Sequence, residues 1–148
     1  MLAQIKNKGE KIYESEDKSV LMYAIPKFGY YYLYSIGKVE MQNYKEGYIH
    51  LLEVAKKYQF NKVIFSLKDL TYTPLRGRAW FATYFAPLFY KLADNDLTVV
   101  IIKPQNKFEA VTIDIISNSL PKMGINVRTQ FFEDEEKAIK WIENPIFD

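Results

Sequence analysis

The 148-residue sequence has no cysteine, which excludes a disulfide framework, a thiolate metal centre and a thiol nucleophile. It has one histidine, His50, too few to build a tight transition-metal site without thiolates to assist it. Charge of one sign is also missing. Lys and Arg number 20 against 18 Asp and Glu, too even a balance to imply nucleic acid or an acidic membrane as partner. No apolar run approaches the ~20 residues needed to span a bilayer, and the first fourteen residues lack the apolar centre of a signal peptide. The expectation is one cytoplasmic domain over residues 1–148 with no membrane insertion. What is abundant is apolar and aromatic: 49% hydrophobic residues, with 12 Tyr, 10 Phe and 2 Trp. Tyrosine needs a partner for its hydroxyl when buried, so this excess points to sheet faces, pocket walls and interfaces.

Periodicity gives the order of elements. Lys11 to Ser15 and Ser19 to Ile25 flank the polar turn Glu16-Asp17-Lys18 as a hairpin, and Tyr30 to Ile36 adds a third strand. From Glu40 to Tyr58 the apolar spacing becomes helical, with Met41, Tyr44, Tyr48, Leu51, Leu52, Ala55 and Tyr58 on one face. A strand Lys62 to Leu67, a loop Lys68 to Arg76 and a helix from about Gly77 to Ala93 come next. Pro87 removes a backbone donor and kinks that helix. Leu97 to Ile102, apolar on both faces but for Thr98, reads as a central parallel strand. A helix from Phe108 to Leu120, a strand Asn126 to Phe132 and a helix capped by Asp134 complete the chain. The fold class is therefore α/β: a mixed sheet, antiparallel at the N-terminal side and parallel later, with helices on its faces and right-handed crossovers.

The run Val63-Ile64-Phe65-Ser66-Leu67-Lys68-Asp69-Leu70-Thr71-Tyr72-Thr73-Pro74-Leu75-Arg76-Gly77 resembles the central strand and loop of STAS domains, the anti-sigma-factor antagonists of the SpoIIAA-like group. The ending Phe131 to Ile142, with Ala138 and Trp141 after an acidic turn, is similar to that group's closing strand and helix. The resemblance implies a SpoIIAA-like fold and a regulatory, protein-binding role without catalysis or a cofactor. Members switched by phosphorylation carry a serine just before the loop glycine, where this chain has Arg76, so serine switching at that position is not expected. A related branch of the fold resembles CRAL-TRIO lipid-transfer domains, which hold apolar ligands against the sheet.

The candidate partner- or ligand-binding residues are Lys68, Asp69, Thr71, Tyr72, Thr73, Arg76, Arg78, Trp80 and Tyr84. Arg76 and Arg78 flank a helix start, whose free N–H groups favour an anion or an acidic protein patch. Thr73 is a displaced candidate for phosphorylation. Trp80 and Tyr84 share a helix side as apolar anchors, and such a patch most simply forms a symmetric homodimer. Lys27 to Tyr34 superficially resemble base-stacking strands, but an ordinary sheet strand is expected, with no nucleic acid bound. His50 among Glu46 and Glu53 is expected on a solvated helix face, so neither a metal nor a catalytic residue is assigned. Two readings stand: a docking module with a filled core and a surface patch, or a carrier of an apolar small molecule or lipid with an enclosed cavity.

Overall fold

The structure is a computed structural model describing residues 2–147, with Leu2 described by its backbone alone. In chain order the elements are α1 (Leu2–Lys8), β1 (Glu10–Glu14), β2 (Val20–Ile25), β3 (Tyr30–Ser35), β4 (Gly37–Lys38) and α2 (Met41–Tyr58). They continue with β5 (Lys62–Ser66), β6 (Leu70–Tyr72), α3 (Leu75–Trp80), a π-turn (Phe81–Phe85), α4 (Ala86–Leu92) and β7 (Thr98–Ile102). The chain closes with α5 (Lys107–Ser119), a 3-10 turn (Pro121–Met123), β8 (Arg128–Phe132) and α6 (Glu135–Glu143).

Strand alternation builds two cores, one on each side of a sheet ordered β1-β2-β3-β5-β7-β8. Strands β1 to β3 are antiparallel, and β3, β5, β7 and β8 run parallel, as the sequence predicts. Tyr31, Leu33, Val63, Phe65, Val99 and Ile101 point to one face, against α2 and the α3–α4 segment. Tyr30, Tyr32, Ile64, Val100 and Ile102 point to the other, against Ile5 of α1 and Ala138, Ile139 and Ile142 of α6. The tyrosines satisfy their hydroxyls at the helices: Tyr30 donates to Glu143 at 2.6 Å, and Tyr32 donates to Glu135, which also accepts from Ser66 at 2.7 Å. Tyr30, Tyr31 and Tyr32 are wholly buried, so they are sheet core with no face open to stack a base.

Three features depart from the sequence expectation. Helix α1 is absent from it, because a seven-residue helix anchored at the fully buried Ile5 carries no readable period. It packs close because Gly9 has no side chain: a Cβ there would lie 2.7 Å from Ile25 Cδ1 and 2.9 Å from the Ile5 carbonyl oxygen. The loop Lys68 to Arg76 is also more ordered than a connection, since β6 pairs in parallel with β4 and the helix begins two residues early, at Leu75. Gly37 N–H donates to Asp69 O at 2.9 Å and Val39 N–H to Tyr72 O at 3.0 Å, long-range bonds that local propensity does not announce.

The third departure is in the helix that Pro87 interrupts. Proline cannot donate to the i−4 carbonyl, and the chain absorbs this with a π-turn just before it, closed by Ala86 N–H donating to Phe81 O. The extra residue rotates the helix phase. Leu88 is exposed, while Phe85, Ala86, Phe89 and Ala93 face inward.

Candidate functional site

Helix α5 crosses from β7 to β8 on the same face as α2 and α3–α4, yet it does not fill the space beneath it. An apolar cavity of about 110 Å³ remains there, and its floor is Phe65, Val99 and Ile101 of the sheet. Phe81, Phe85 and Phe89 wall one side, and Ile113 and Ile116 of α5 form the roof. The shortfall has a sequence cause. Helix α5 spends large apolar residues on its outer face, where Phe108 (69% exposed) and Ile115 (63%) point to solvent, so its inner face is left with Thr112 and Ser117 beside the isoleucines. Strand β8 adds the short Thr129 and Val127 at the edge of the sheet.

One end of the cavity is polar. Arg78 Nη2 donates to Glu109 Oε2 at 2.6 Å, Arg78 Nε donates to Thr73 Oγ1 at 3.0 Å, and Thr73 Oγ1 donates to Glu109 Oε1 at 2.7 Å. The Glu109 side chain is only 1% exposed, and the closed triangle of bonds is what makes a buried carboxylate tolerable. Asn106 caps α5 by accepting from Glu109 N–H at 3.0 Å, while the Glu109 side chain ties the helix to α3 through Arg78. Tyr44 and Tyr48 of α2 line the cavity next to this triangle, their rings 4.9 Å apart. Burial pushes both phenols well above their ordinary value, and no hydrogen bond joins either hydroxyl to another described residue.

The residues singled out from sequence divide between this cavity and the surface. Thr73 and Arg78 belong to the polar end, where Arg78 pairs with Glu109, while Arg76 is exposed. Gly77 lets α3 approach α2, since a Cβ there would lie 3.1 Å from the Tyr44 ring. Lys68, Asp69, Thr71 and Tyr72 are exposed; Asp69 accepts from Tyr34 OH at 3.2 Å, and Lys38 lies 5.6 Å over the Tyr72 ring. Leu75, not singled out from sequence, is 75% exposed beside Arg76. Trp80 is half-buried, stacked on the exposed Tyr84 at 5.3 Å and covered by Lys45. Tyr84, Leu88 and Ile49 border an open groove of about 530 Å³ between α2 and α4.

Sequence reasoning missed Tyr44, Tyr48 and Glu109 as site residues. The first two look like core positions of an amphipathic helix, and Glu109 looks like an ordinary first-turn carboxylate. His50 lies on α2, stacked on Tyr13 at 5.1 Å, with Nδ1 2.8 Å from Glu46 O. Among the described residues no group of three or more His, Cys, Asp or Glu is arranged to hold a metal ion. No described helix is long and apolar enough to cross a membrane.

No protein-family model matches the chain, and no curated protein matches it. Among solved structures, the crystal structure of an uncharacterized DUF3478-family protein from Shewanella loihica PV-4, with a SpoIIAA-like fold, superposes with a TM-score of 0.52. The match covers 90% of this chain and 91% of that one at 17% identity. The fold is SpoIIAA-like. At that identity the likeness speaks for the architecture alone, which is what the STAS resemblance implies. Within the SpoIIAA-like frame, the cavity lies under α5, the crossover between the last two parallel strands.

Proposed function

We propose that the protein is a non-catalytic regulatory module that binds a small apolar molecule in the cavity between α5 and the sheet. The observation that carries this is the cavity itself: aromatic and aliphatic over most of its wall, with polar groups gathered at one end, the pattern of ligand sites. Its 110 Å³ is below the ~300 to 1,000 Å³ of drug-sized sites, so the occupant is either a compound of few non-hydrogen atoms or a longer one that displaces α5 outward. An engineered apolar cavity of about 150 Å³ stays dry and takes benzene, which sets the scale. Native mass spectrometry of the purified protein tests the reading. A copurifying small molecule, lost on gentle activation, is the expected result, whereas a bare chain that takes up no added hydrocarbon contradicts it.

The second reading, docking of a protein partner, is favoured by a different observation: Leu75, Arg76 and Tyr72 are exposed together beside the β4–β6 pair. An exposed leucine next to an arginine and a tyrosine has the composition of an interface anchor. A symmetric homodimer would instead use the Tyr84, Leu88 and Ile49 groove, and the same spectrum reports its mass. The two readings are compatible, because α3 carries both Leu75 on the surface and Arg78 at the cavity.

A further inference from the structure

The two tyrosines at the cavity's polar end carry more than the cavity alone. Tyr44 is 8% exposed and Tyr48 6%, so both are more than nine-tenths buried, and both line the cavity. Elsewhere the buried sheet tyrosines reach partners: Tyr30 finds Glu143, Tyr32 finds Glu135, and Tyr31 OH accepts from Phe60 N–H at 3.2 Å. No hydrogen bond joins the Tyr44 or Tyr48 hydroxyl to another described residue, and both side chains line the cavity. Neither hydroxyl is a fully enclosed atom left without a partner, so each is open to one, and an acceptor atom on a guest supplies it.

The charged groups nearby narrow the guest further. Arg78 offers the cavity's one cation, and its charge is matched by Glu109 at 2.6 Å with Thr73 closing the triangle. A carboxylate guest would bring a second negative charge next to Glu109 with no cation left to receive it. A neutral guest with one acceptor oxygen meets only the tyrosine O–H groups.

We infer that the cavity is built for a small neutral compound with an apolar body and one hydrogen-bond acceptor, such as an alcohol or a ketone, whose oxygen is held by Tyr44 and Tyr48. This rests on the cavity reading above and adds to it the chemistry of the head group. The phenols stay protonated donors, since burial raises both. With 110 Å³ to fill, a guest of about five or six non-hydrogen atoms fits without moving α5.

The test is a methyl-detected NMR titration of the full chain with three probes: cyclopentanol, cyclopentane and cyclopropanecarboxylate. Cyclopentanol is expected to shift the methyls of Ile113, Ile116 and Ile101 saturably, and the Tyr44→Phe/Tyr48→Phe variant to weaken it about tenfold while cyclopentane binding stays unchanged. Cyclopropanecarboxylate is expected to leave those methyls in place. If cyclopentanol binds the variant as well as the parent, or if the carboxylate binds as tightly as the alcohol, the head-group inference is overturned while the cavity reading stands. If none of the three probes shifts the methyls, both fall. The single variant Tyr48→Phe serves should the double variant fail to fold; a drop for cyclopentanol alone supports the inference, and equal affinity for the parent and variant overturns it.

Discussion

The Glu109 side chain is 1% exposed, and Arg78 pairs with it where water does not reach. Removing one partner of such a pair strands the other, so Glu109→Ala is expected to cost about 3 kcal/mol in denaturant unfolding. The double change Arg78→Met/Glu109→Leu removes both charges together and is expected to cost less than the single one. A double variant as unstable as Glu109→Ala would show that the pair does more than neutralise itself. The pair is also where sequence reading stops at the residue scale. Thirty-one residues separate its members, each has a local explanation, and only tertiary packing brings them within 2.6 Å. By contrast Asp134 as an N-cap was legible, because its bond to Glu136 N–H at 2.9 Å is two residues long.

At the scale of the element, α5 is the part that leaves room. Ser117 lies on its cavity side, so Ser117→Leu fills space and improves helix propensity together. That variant is expected to gain about 0.5 to 2 kcal/mol in thermal or denaturant unfolding and to lose uptake of small guests. A destabilised Ser117→Leu protein would mean that the space is not there to fill. Helix α3 presents the opposite case. Gly77→Ala gains up to about 1 kcal/mol of helix propensity but sets a methyl 3.1 Å from the Tyr44 ring and 3.4 Å from Met41 Sδ. Overpacking is expected to win, so calorimetry should show a lower melting temperature. The strands and long helices of this fold were readable from periods of two and 3.6, and so was a disturbance at Pro87. Its form as a π-turn, the pairing of β6 with β4, and α1 were not, because each depends on partners distant in sequence or on a register change that no local pattern encodes.

For the molecule as a whole, the aromatic excess becomes a pH dependence. Burial, joined by carboxylate acceptors at Tyr13 and Tyr34, pushes the phenols of Tyr13, Tyr31 and Tyr34 up to about 12. Tyr30, Tyr32, Tyr44 and Tyr48 are raised in the same direction. Between the ordinary value of 10.0 and about 12, the unfolded chain releases phenolic protons that the folded one keeps. The stabilisation is therefore fully present below pH 10 and falls as pH rises above it. Melting temperatures recorded from neutrality to beyond pH 10 should drop steeply at the alkaline end, and the folded protein should show delayed tyrosinate absorbance. A flat melting profile through that range would contradict the burial assigned to these rings.

Ile5, Ala138, Ile139 and Ile142 pack one side of the sheet, while on the other space remains under α5, and the proposed function depends on that second side. A crystal structure under xenon pressure tests it most directly, since xenon enters dry apolar cavities and needs no knowledge of the natural guest. The account predicts xenon density between α5 and the sheet, in contact with Phe85, Ile113 and Ile116. Density absent from that space, with α5 packed down and its isoleucines touching Val99 and Ile101, would contradict it.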